Sequence, residues 1–209
     1  HSGQFQKNEQ NEIYRFIAYS YDADAPGLQI TTYSGGKKSG QEIYFSGPGS
    51  FNLPKRRIWK FFAESDNLIW MVTPEELGAF NPLSKIYSSY NKKGETQIEG
   101  FSAVRPYKDN LLAVSTLNDG LFFFNKSERQ FTNQFIYREN NPYSISNNHL
   151  DNIYIDNQNG IWLTVDKIGV DYALAEKVKF NSYYSIRDGG YNGKKIGFRN
   201  LLTDQNGIT

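Results

Sequence analysis

Few residues in this sequence have the type and spacing that catalysis or metal binding requires. The chain has two histidines, His1 and His149, and no cysteine, which excludes disulfides, thiolate metal sites and cysteine nucleophiles. The run Asp156–Gly160 has the composition of a calcium-binding loop, but the twelfth position is Lys167, where calcium needs a bidentate Glu. No other His or carboxylate group has ligand spacing. We therefore predict no catalytic residue, no metal site and no cofactor.

Loop residues are better candidates for binding a small ligand. Long loops on a rigid scaffold are the usual place for recognition. The longer loops here span 48–57, 91–100, 138–149 and 185–197, and shorter ones span 74–76, 117–119 and 165–168. The charged and aromatic candidates in or beside them are Arg57, Asp119, His149, Asp166, Arg187 and Tyr191.

The scaffold that must position these loops is a repeat of roughly 45 residues. Ile13–Ala18 and Ile58–Ala63 agree in chemical type at six consecutive positions, and related segments begin at 101, 150 and 198. A period of 40–50 residues fits one four-stranded propeller blade per repeat. We therefore predict repeats that start near 13, 58, 101, 150 and 198.

Within each repeat the same signals recur in the same order. A polar turn such as Asp156–Gly160 follows the first strand, because Asn, Asp and Gly tolerate a left-handed backbone. A strongly apolar second strand comes next, as expected where both faces of a sheet are covered. Third and outer strands complete the unit. The predicted second, third and outer strands are 68–73, 77–81 and 85–90; 111–116, 120–125 and 130–135; and 161–164, 169–172 and 179–184.

The first repeat is less regular after its opening strand. Gly35–Gly40 reads as a flexible turn, and Gln41–Phe45 as the outer strand. No amphipathic helix is predicted, because apolar residues alternate or run together rather than recurring at three and four. The predicted fold is all-β, a β-propeller fragment of about four four-stranded blades plus the start of a fifth, occupying residues 1–209.

Composition narrows the functional classes. With 23 Lys and Arg against 22 Asp and Glu, the net charge is +1, which argues against nucleic-acid binding. No apolar stretch is long enough to span a membrane. Aromatic residues make up 16% of the chain. We expect most of them in the core and in cross-strand pairs, and the alternative is a surface on which sugar rings stack.

The third complete repeat carries a recognisable motif. Asn140–Asn148 reads NNPYSISNN, and it is followed by Asp156, by Gly160–Thr164 and by Gly169–Val170. This order resembles the regulator-propeller repeat of the extracytoplasmic sensor regions of hybrid two-component systems. The repeat's Trp is kept at Trp70 and Trp162, but becomes Ala113 or Val114 in the middle copy. Its Gly before the third strand becomes Glu76 in the copy that starts at 58.

The resemblance implies a periplasmic, non-enzymatic sensor segment. Its expected partner is an oligosaccharide or another small ligand, and its expected output is transcription of polysaccharide-utilisation genes through a histidine kinase elsewhere in the parent chain. Contact with the inner membrane would come only from parts of that chain absent here. A partial propeller is expected to be marginally stable alone or to form a homodimer.

Two other functions stay open at this point. One is a propeller glycoside hydrolase or lyase, because its paired carboxylates can come from distant loops. The other is a scaffold propeller that binds protein. The choice among the three rests on analogy between folds.

Overall fold

The computed structural model describes residues 3–7, 13–20, 27–45, 53–54, 57–108, 110–174 and 178–183. These residues form strands and turns, and no helix among them spans a membrane. The strands are β1 Gly3–Lys7, β2 Ile13–Ser20, β3 Gly27–Ser34, β4 Lys37–Phe45, β5 Lys60–Ser65, β6 Leu68–Val72, β7 Leu77–Asn81, β8 Ile86–Tyr90, β9 Lys92–Lys93, β10 Thr96–Gln97, β11 Phe101–Tyr107, β12 Leu111–Thr116, β13 Leu121–Asn125, β14 Gln130–Phe135, β15 Leu150–Ile155, β16 Ile161–Val165, β17 Gly169–Ala173 and β18 Phe180–Tyr183.

Sixteen of these strands form four antiparallel sheets of four, each made from strands consecutive in the sequence. The sheets are β1–β4, β5–β8, β11–β14 and β15–β18, and we number them blades one to four. β9 and β10, which follow β8 in the sequence, form a small separate hairpin. The chain divides into two compact units, residues 1–89 and 90–209. The four blades confirm the predicted all-β propeller fragment, and the predicted fifth start at 198 lies outside the described residues.

Blade one differs from the sequence alignment. Its first strand is Gly3–Lys7, and Ile13–Ser20 is the second strand, paired to both β1 and β3. The sequence similarity between Ile13–Ala18 and Ile58–Ala63 therefore aligned the second strand of blade one with the first strand of blade two. Both kinds of strand are apolar, so chemical type alone did not distinguish them. The predicted flexible turn is also shorter, because only Gly35–Gly36 is a turn and Lys37 already begins β4.

Side-chain caps explain the polar turns of the repeat. The carboxylate of Asp156 accepts hydrogen bonds from the backbone N–H of Gln158 (2.9 Å) and Gly160 (2.7 Å) and from the indole N–H of Trp162 (2.9 Å). In blade two the indole N–H of Trp70 donates in the same way to Glu64 at 2.6 Å. A carboxylate near the end of the first strand or just after it, and a tryptophan six residues later, thus bridge the first hairpin in two blades.

In blades two and three the third strand ends on Phe-Asn, and this Asn is a second cap. Asn81 Oδ1 accepts from the backbone N–H of Leu83 at 2.9 Å and of Ser84 at 3.0 Å. Asn125 Oδ1 does the same for Ser127 at 3.0 Å and Glu128 at 3.1 Å. These Asx turns lead the chain into the outer strand.

Blade two lacks the repeat's Gly before the third strand because its loop between the second and third strands is shorter. In blade three the N–H of Thr116 bonds the carbonyl of Gly120, whose φ of 78° favours glycine. In blade two the N–H of Thr73 bonds the carbonyl of Glu76, so two residues separate the partners rather than three. Glu76 lies outside the positive-φ region, and its carboxylate accepts from the hydroxyl of Tyr87 at 2.6 Å.

Most of the aromatic residues that the structure describes are in the sheets, as expected. In blade three Phe131 packs against Phe101, Phe122 and Phe124, and Tyr107 stacks on Phe123 with ring centroids 4.8 Å apart. One buried cluster joins inner residues of blades three and four, including Ala103, Leu121, Ile153 and Leu163. A separate cluster in the first unit contains Leu28, Met71 and Phe80.

A buried hydrogen-bond chain also joins blades three and four. The hydroxyl of Ser102 on β11 donates to the carbonyl of Leu150 on β15 at 2.6 Å and lies 2.7 Å from the hydroxyl of Ser115. Ser102 is the extra residue of a β-bulge between Phe101 and Ala103. The bulge therefore turns a strand residue toward the next blade.

Candidate functional site

The loop between β14 and β15 is held in place by the polar residues of its sequence motif. Ser146 donates through its backbone N–H (2.7 Å) and its hydroxyl (3.1 Å) to the buried carboxylate of Asp171. The side chain of Asn148 accepts from the N–H of Tyr137 at 2.7 Å, and its carbonyl accepts from the N–H of Gly120 at 3.1 Å. The motif thus fixes the chain just before β15 begins.

Four charged or titratable side chains meet where this loop enters blade four. We call His149, Asp151, Asp166 and Lys167 the mouth cluster. The imidazole Nε2 of His149 lies 3.4 Å from Asp151 Oδ1, and Lys167 Nζ lies 2.9 Å from Asp166 Oδ2. The N–H of Asp166 bonds the carbonyl of His149 at 3.3 Å, which joins the two loop segments. All four side chains are partly or well exposed, so a ligand can reach them.

Electrostatics couple the members of the cluster. Burial raises the pKa of Asp151 above its ordinary value of 3.8, the imidazole of His149 opposes the rise, and the charge of Asp166 adds to it. The hydrogen bond to Asp166 raises the pKa of the Lys167 ammonium. Two carboxylates, one imidazole and one ammonium therefore lie together, and the two carboxylates can accept hydrogen bonds.

A β-bulge brings Asp151 into the cluster. The pairing of β15 with β16 skips from Leu150 to Asn152, and Asp151 is the extra residue. Its side chain is 40% exposed, although both of its neighbours in β15 are buried. Lys167, at a φ of 58°, lies in the turn that links β16 to β17.

The structure brings two of the six predicted site residues together, His149 and Asp166. Asp119 lies in the equivalent turn of blade three, where Thr116 caps its N–H at 2.9 Å. Arg57 is exposed and belongs to the first unit. Arg187 and Tyr191 lie outside the described residues.

Sequence reasoning missed Asp151 and Lys167. Asp151 reads as an ordinary strand residue, because nothing in the order of residue types marks a bulge. Lys167 was considered only because it occupies the position where a calcium-binding loop needs a Glu. The predicted strand start at 150 could have indicated Asp151, because residues at the start of a strand lie next to the loop that precedes it.

The part of the chain that the structure describes has no group of three or more His, Cys, Asp or Glu side chains placed to hold a metal ion. Asp156, the first residue of the calcium-like run, instead bonds its own turn and Trp162. The residues present therefore fit a structural cap at this position rather than a cation.

The first unit carries a groove of about 480 Å³ between β4 and the turns at 66–67 and 82–85. Ile43 and Leu83 are exposed at its edge, 41% and 77% respectively. None of the predicted site residues lines it.

Among solved structures, two crystal structures of one extracellular domain match most of the chain. The domain is that of BT4673 from B. thetaiotaomicron, assigned in one structure to a one component system and in the other to a hybrid two component system. The TM-scores are 0.71 and 0.68, at 17% and 18% identity, over 97% of this chain and 27% of that one. This chain therefore spans about a quarter of the length of that domain.

Two further matches have the same general architecture. The extracellular domain of BT3049 from the same organism, assigned to a hybrid two component system, gives a TM-score of 0.58 at 12% identity over 86% of this chain and 24% of that chain. Puromycin hydrolase gives 0.54 at 9% identity over 85% of this chain and 28% of that chain.

At these identities the matches establish the fold alone. No family model matches the sequence, and no curated protein matches it significantly. The chain is a β-propeller fragment, and the extracellular domains of BT4673 and BT3049 share its fold.

Proposed function

We propose that this chain is part of the extracytoplasmic, ligand-sensing propeller of a hybrid two-component signalling protein. The observation that carries the proposal is the match to the extracellular domain of BT4673 over 97% of the chain. The motif of 140–148 supports it, because NNPYSISNN resembles the repeat of such sensor regions.

The ligand of this sensor is an oligosaccharide, and the mouth cluster is where it binds. Carboxylates that remain partly exposed accept hydrogen bonds from adjacent hydroxyl groups, which every sugar ring carries. Binding changes the activity of a histidine kinase in the same polypeptide and thereby the transcription of polysaccharide-utilisation genes. The segment lies in the periplasm, anchored to the inner membrane by other parts of the parent protein.

Calorimetry with the full-length protein tests the binding step. Titration with hexasaccharides from galactan, xylan and mannan should reveal at least one that binds, and the same sugar should induce a reporter gene in cells. If no member of a broad panel of glycan fragments binds, carbohydrate sensing is wrong.

A propeller glycoside hydrolase is the second candidate. Asp151 and Asp166 are two interacting carboxylates, and the raised pKa of Asp151 is what a general acid needs. Puromycin hydrolase matches 85% of this chain, so a hydrolase can also contain this architecture. Chromatography of each hexasaccharide after incubation distinguishes the candidates, because a sensor returns the sugar intact and an enzyme releases shorter products.

Self-association is a further part of the proposal. A sensor that signals through a kinase is expected to act as a homodimer, formed by the propeller or by neighbouring domains. Light scattering of the full-length protein with and without ligand tests this, and a monomer in both conditions contradicts it.

A further inference from the structure

The first turn of blade four contains a chemically reactive pair, Asn159 followed by Gly160. The side chain of Asn159 is exposed, and Gly160 has no Cβ to obstruct its backbone nitrogen. In such a pair the glycine nitrogen can attack Cγ of the asparagine. A bond forms between the Gly160 nitrogen and Asn159 Cγ, the Cγ–Nδ2 bond breaks, and Nδ2 leaves as ammonia with the proton of the former Gly160 N–H. Water then opens the cyclic imide to aspartate or isoaspartate.

The structure holds the attacking nitrogen in a hydrogen bond. Gly160 donates its backbone N–H to Asp156 Oδ1 at 2.7 Å, a short bond to a charged acceptor. Attack on Asn159 requires the nitrogen to lose this proton. The carboxylate disfavours the loss in two ways, because it bonds the protonated form and because its charge opposes a second negative charge beside it. While Asp156 keeps this bond, the nucleophile is unavailable.

The backbone around Asn159 is also fixed. The N–H of Asn159 bonds the carbonyl of Asp156 at 3.0 Å, and the N–H of Asp156 bonds the carbonyl of Gly160 at 3.1 Å. Gly160 is buried, and an atom added at its Cβ position would lie 2.7 Å from Cε2 of Tyr172. Closing a cyclic imide through this peptide moves Gly160, and both the backbone bonds and Tyr172 oppose that movement. Ring closure therefore requires the hairpin to open.

We propose that Asn159 is a deamidation site controlled by Asp156. The cap suppresses the reaction in the closed hairpin, and opening of the hairpin converts Asn159 irreversibly to aspartate or isoaspartate. The reaction consumes only water and releases ammonia, so the inference depends neither on the ligand nor on the signalling role.

The product removes the contacts that had prevented its formation. Isoaspartate carries the chain through its side chain, which adds a methylene group to the backbone of the turn. The spacing between Asp156 and its donors at Gly160 and Trp162 then changes. A hairpin that has reacted once therefore cannot restore its cap, and the first hairpin of blade four is permanently weakened.

Peptide mapping by mass spectrometry measures the reaction in the full-length protein. The folded protein and the same protein in guanidinium chloride are incubated at one mildly alkaline pH. The peptide that contains Asn159 is separated from those that contain the other Asn-Gly pairs, at 192–193 and 206–207. We expect deamidation of Asn159 to be at least about tenfold slower in the folded protein, because it must wait for the hairpin to open.

Variants locate the protection. Asp156→Ala removes the acceptor and should raise the rate in the folded protein toward the rate in guanidinium chloride. Asp156→Ser keeps a weaker cap without the charge and should give an intermediate rate, which also provides a measurement if Asp156→Ala does not fold. Glu64→Ala is the matched control, because Glu64 bonds the tryptophan of the corresponding hairpin in blade two. It should leave the rate at Asn159 unchanged, and unfolding midpoints show which variants are folded.

Three outcomes would overturn the inference. Equal rates in the folded and unfolded wild type would mean that the hairpin gives no protection. A folded Asp156→Ser that deamidates no faster than the wild type would show that the carboxylate is irrelevant. If Glu64→Ala accelerates the reaction as much as Asp156→Ala, general stability and not the cap protects Asn159. Hydrogen exchange of the Gly160 amide needs no variant, and an unprotected amide in the folded protein likewise contradicts the proposal.

Discussion

The role of a side chain in this protein depends on its local backbone as well as on its residue type. Asp156 resembles a cation ligand in sequence and is a turn cap in the structure, with three donors around its carboxylate. The proximity of His149 and Asp166 was predictable, because both lie in loops that the repeat places at one face. Asp151 was not, because its exposure depends on a bulge, and a bulge changes which face a residue points to without changing residue type.

Asp151 gives the stability of the protein a specific pH dependence. Its pKa is raised in the folded state, so between its ordinary pKa of 3.8 and the folded value the native protein binds more protons than the unfolded chain. The free energy of unfolding contributed by this group therefore falls as the pH rises above about 4. In Asp151→Asn, the part of this pH dependence that comes from the Asp151 carboxyl should disappear.

Urea unfolding of both proteins at several pH values between 4 and 7 measures the difference. Glu139→Gln is the control, because it removes a charge from an exposed loop residue, and it should follow the wild type. A variant whose stability falls with pH as steeply as the wild type would show that burial of Asp151 does not set its pKa.

Gly120 should be among the least replaceable residues of blade three. At a φ of 78° a side chain is strained, and an added Cβ would lie 2.2 Å from the carbonyl oxygen of Phe135. Gly120→Ala should cost about 2–5 kcal/mol, from the left-handed backbone and from overpacking together.

Gly94→Ala isolates the two contributions. Gly94 has a φ of 59°, and nothing lies within 4 Å of its added Cβ. Its replacement should cost only about 1–2 kcal/mol, the penalty for the backbone conformation. Equal costs in urea unfolding would mean that the approach to Phe135 contributes nothing.

At the scale of strands, the sequence predicted the three later blades closely. β12 and β14 begin and end at the predicted residues, and β11 and β15 begin at them, since polar turns bracket apolar runs there. Blade one was misaligned by one strand because its first strand, Gly3–Lys7, has one apolar side chain, Phe5, so the apolar Ile13–Ala18 was taken as the first strand. The hairpin of β9 and β10 was predicted only as a loop, since two-residue strands leave no periodicity to detect.

The bond between blades three and four gives a prediction about pairs of strands. Ser102→Ala removes a buried donor and leaves the carbonyl of Leu150 and the hydroxyl of Ser115 without this partner. The expected loss is about 1–3 kcal/mol in the free energy of unfolding, whereas exposed Ser84→Ala should change it by less than about 0.5 kcal/mol.

A double-mutant cycle tests whether the serines act together. Ser102→Ala with Ser115→Ala should destabilise less than the sum of the single variants, by roughly 0.5 kcal/mol or more, because the two hydroxyls share one hydrogen bond. Strict additivity would show that Ser115 does not support the bond between the blades.

For the molecule as far as the structure describes it, four successive blades form the scaffold, and recognition is proposed for the loops that join their strands. The number and order of the blades followed from the period, because each repeat is one supersecondary unit. The ligand did not follow from the period, because function depends on which residues occupy the loops and not on the fold that carries them.

Ligand binding should therefore stabilise the protein by mass action. A hexasaccharide ligand present at one hundred times its Kd is expected to add about 2.7 kcal/mol to the free energy of unfolding of the part that binds it. Hydrogen exchange should show the added protection in β15, which carries Asp151, and in β16, which ends just before Asp166. Protection confined to strands of the first unit would place the binding site there instead.

The bulge near the start of the inner strand has a consequence for how such proteins diverge. Because it lies outside the ladder register, its side chain can change from a hydroxyl to a carboxylate while the rest of the strand keeps its pairing. The two blades therefore keep the same pairing register although one bulge holds a serine and the other an aspartate.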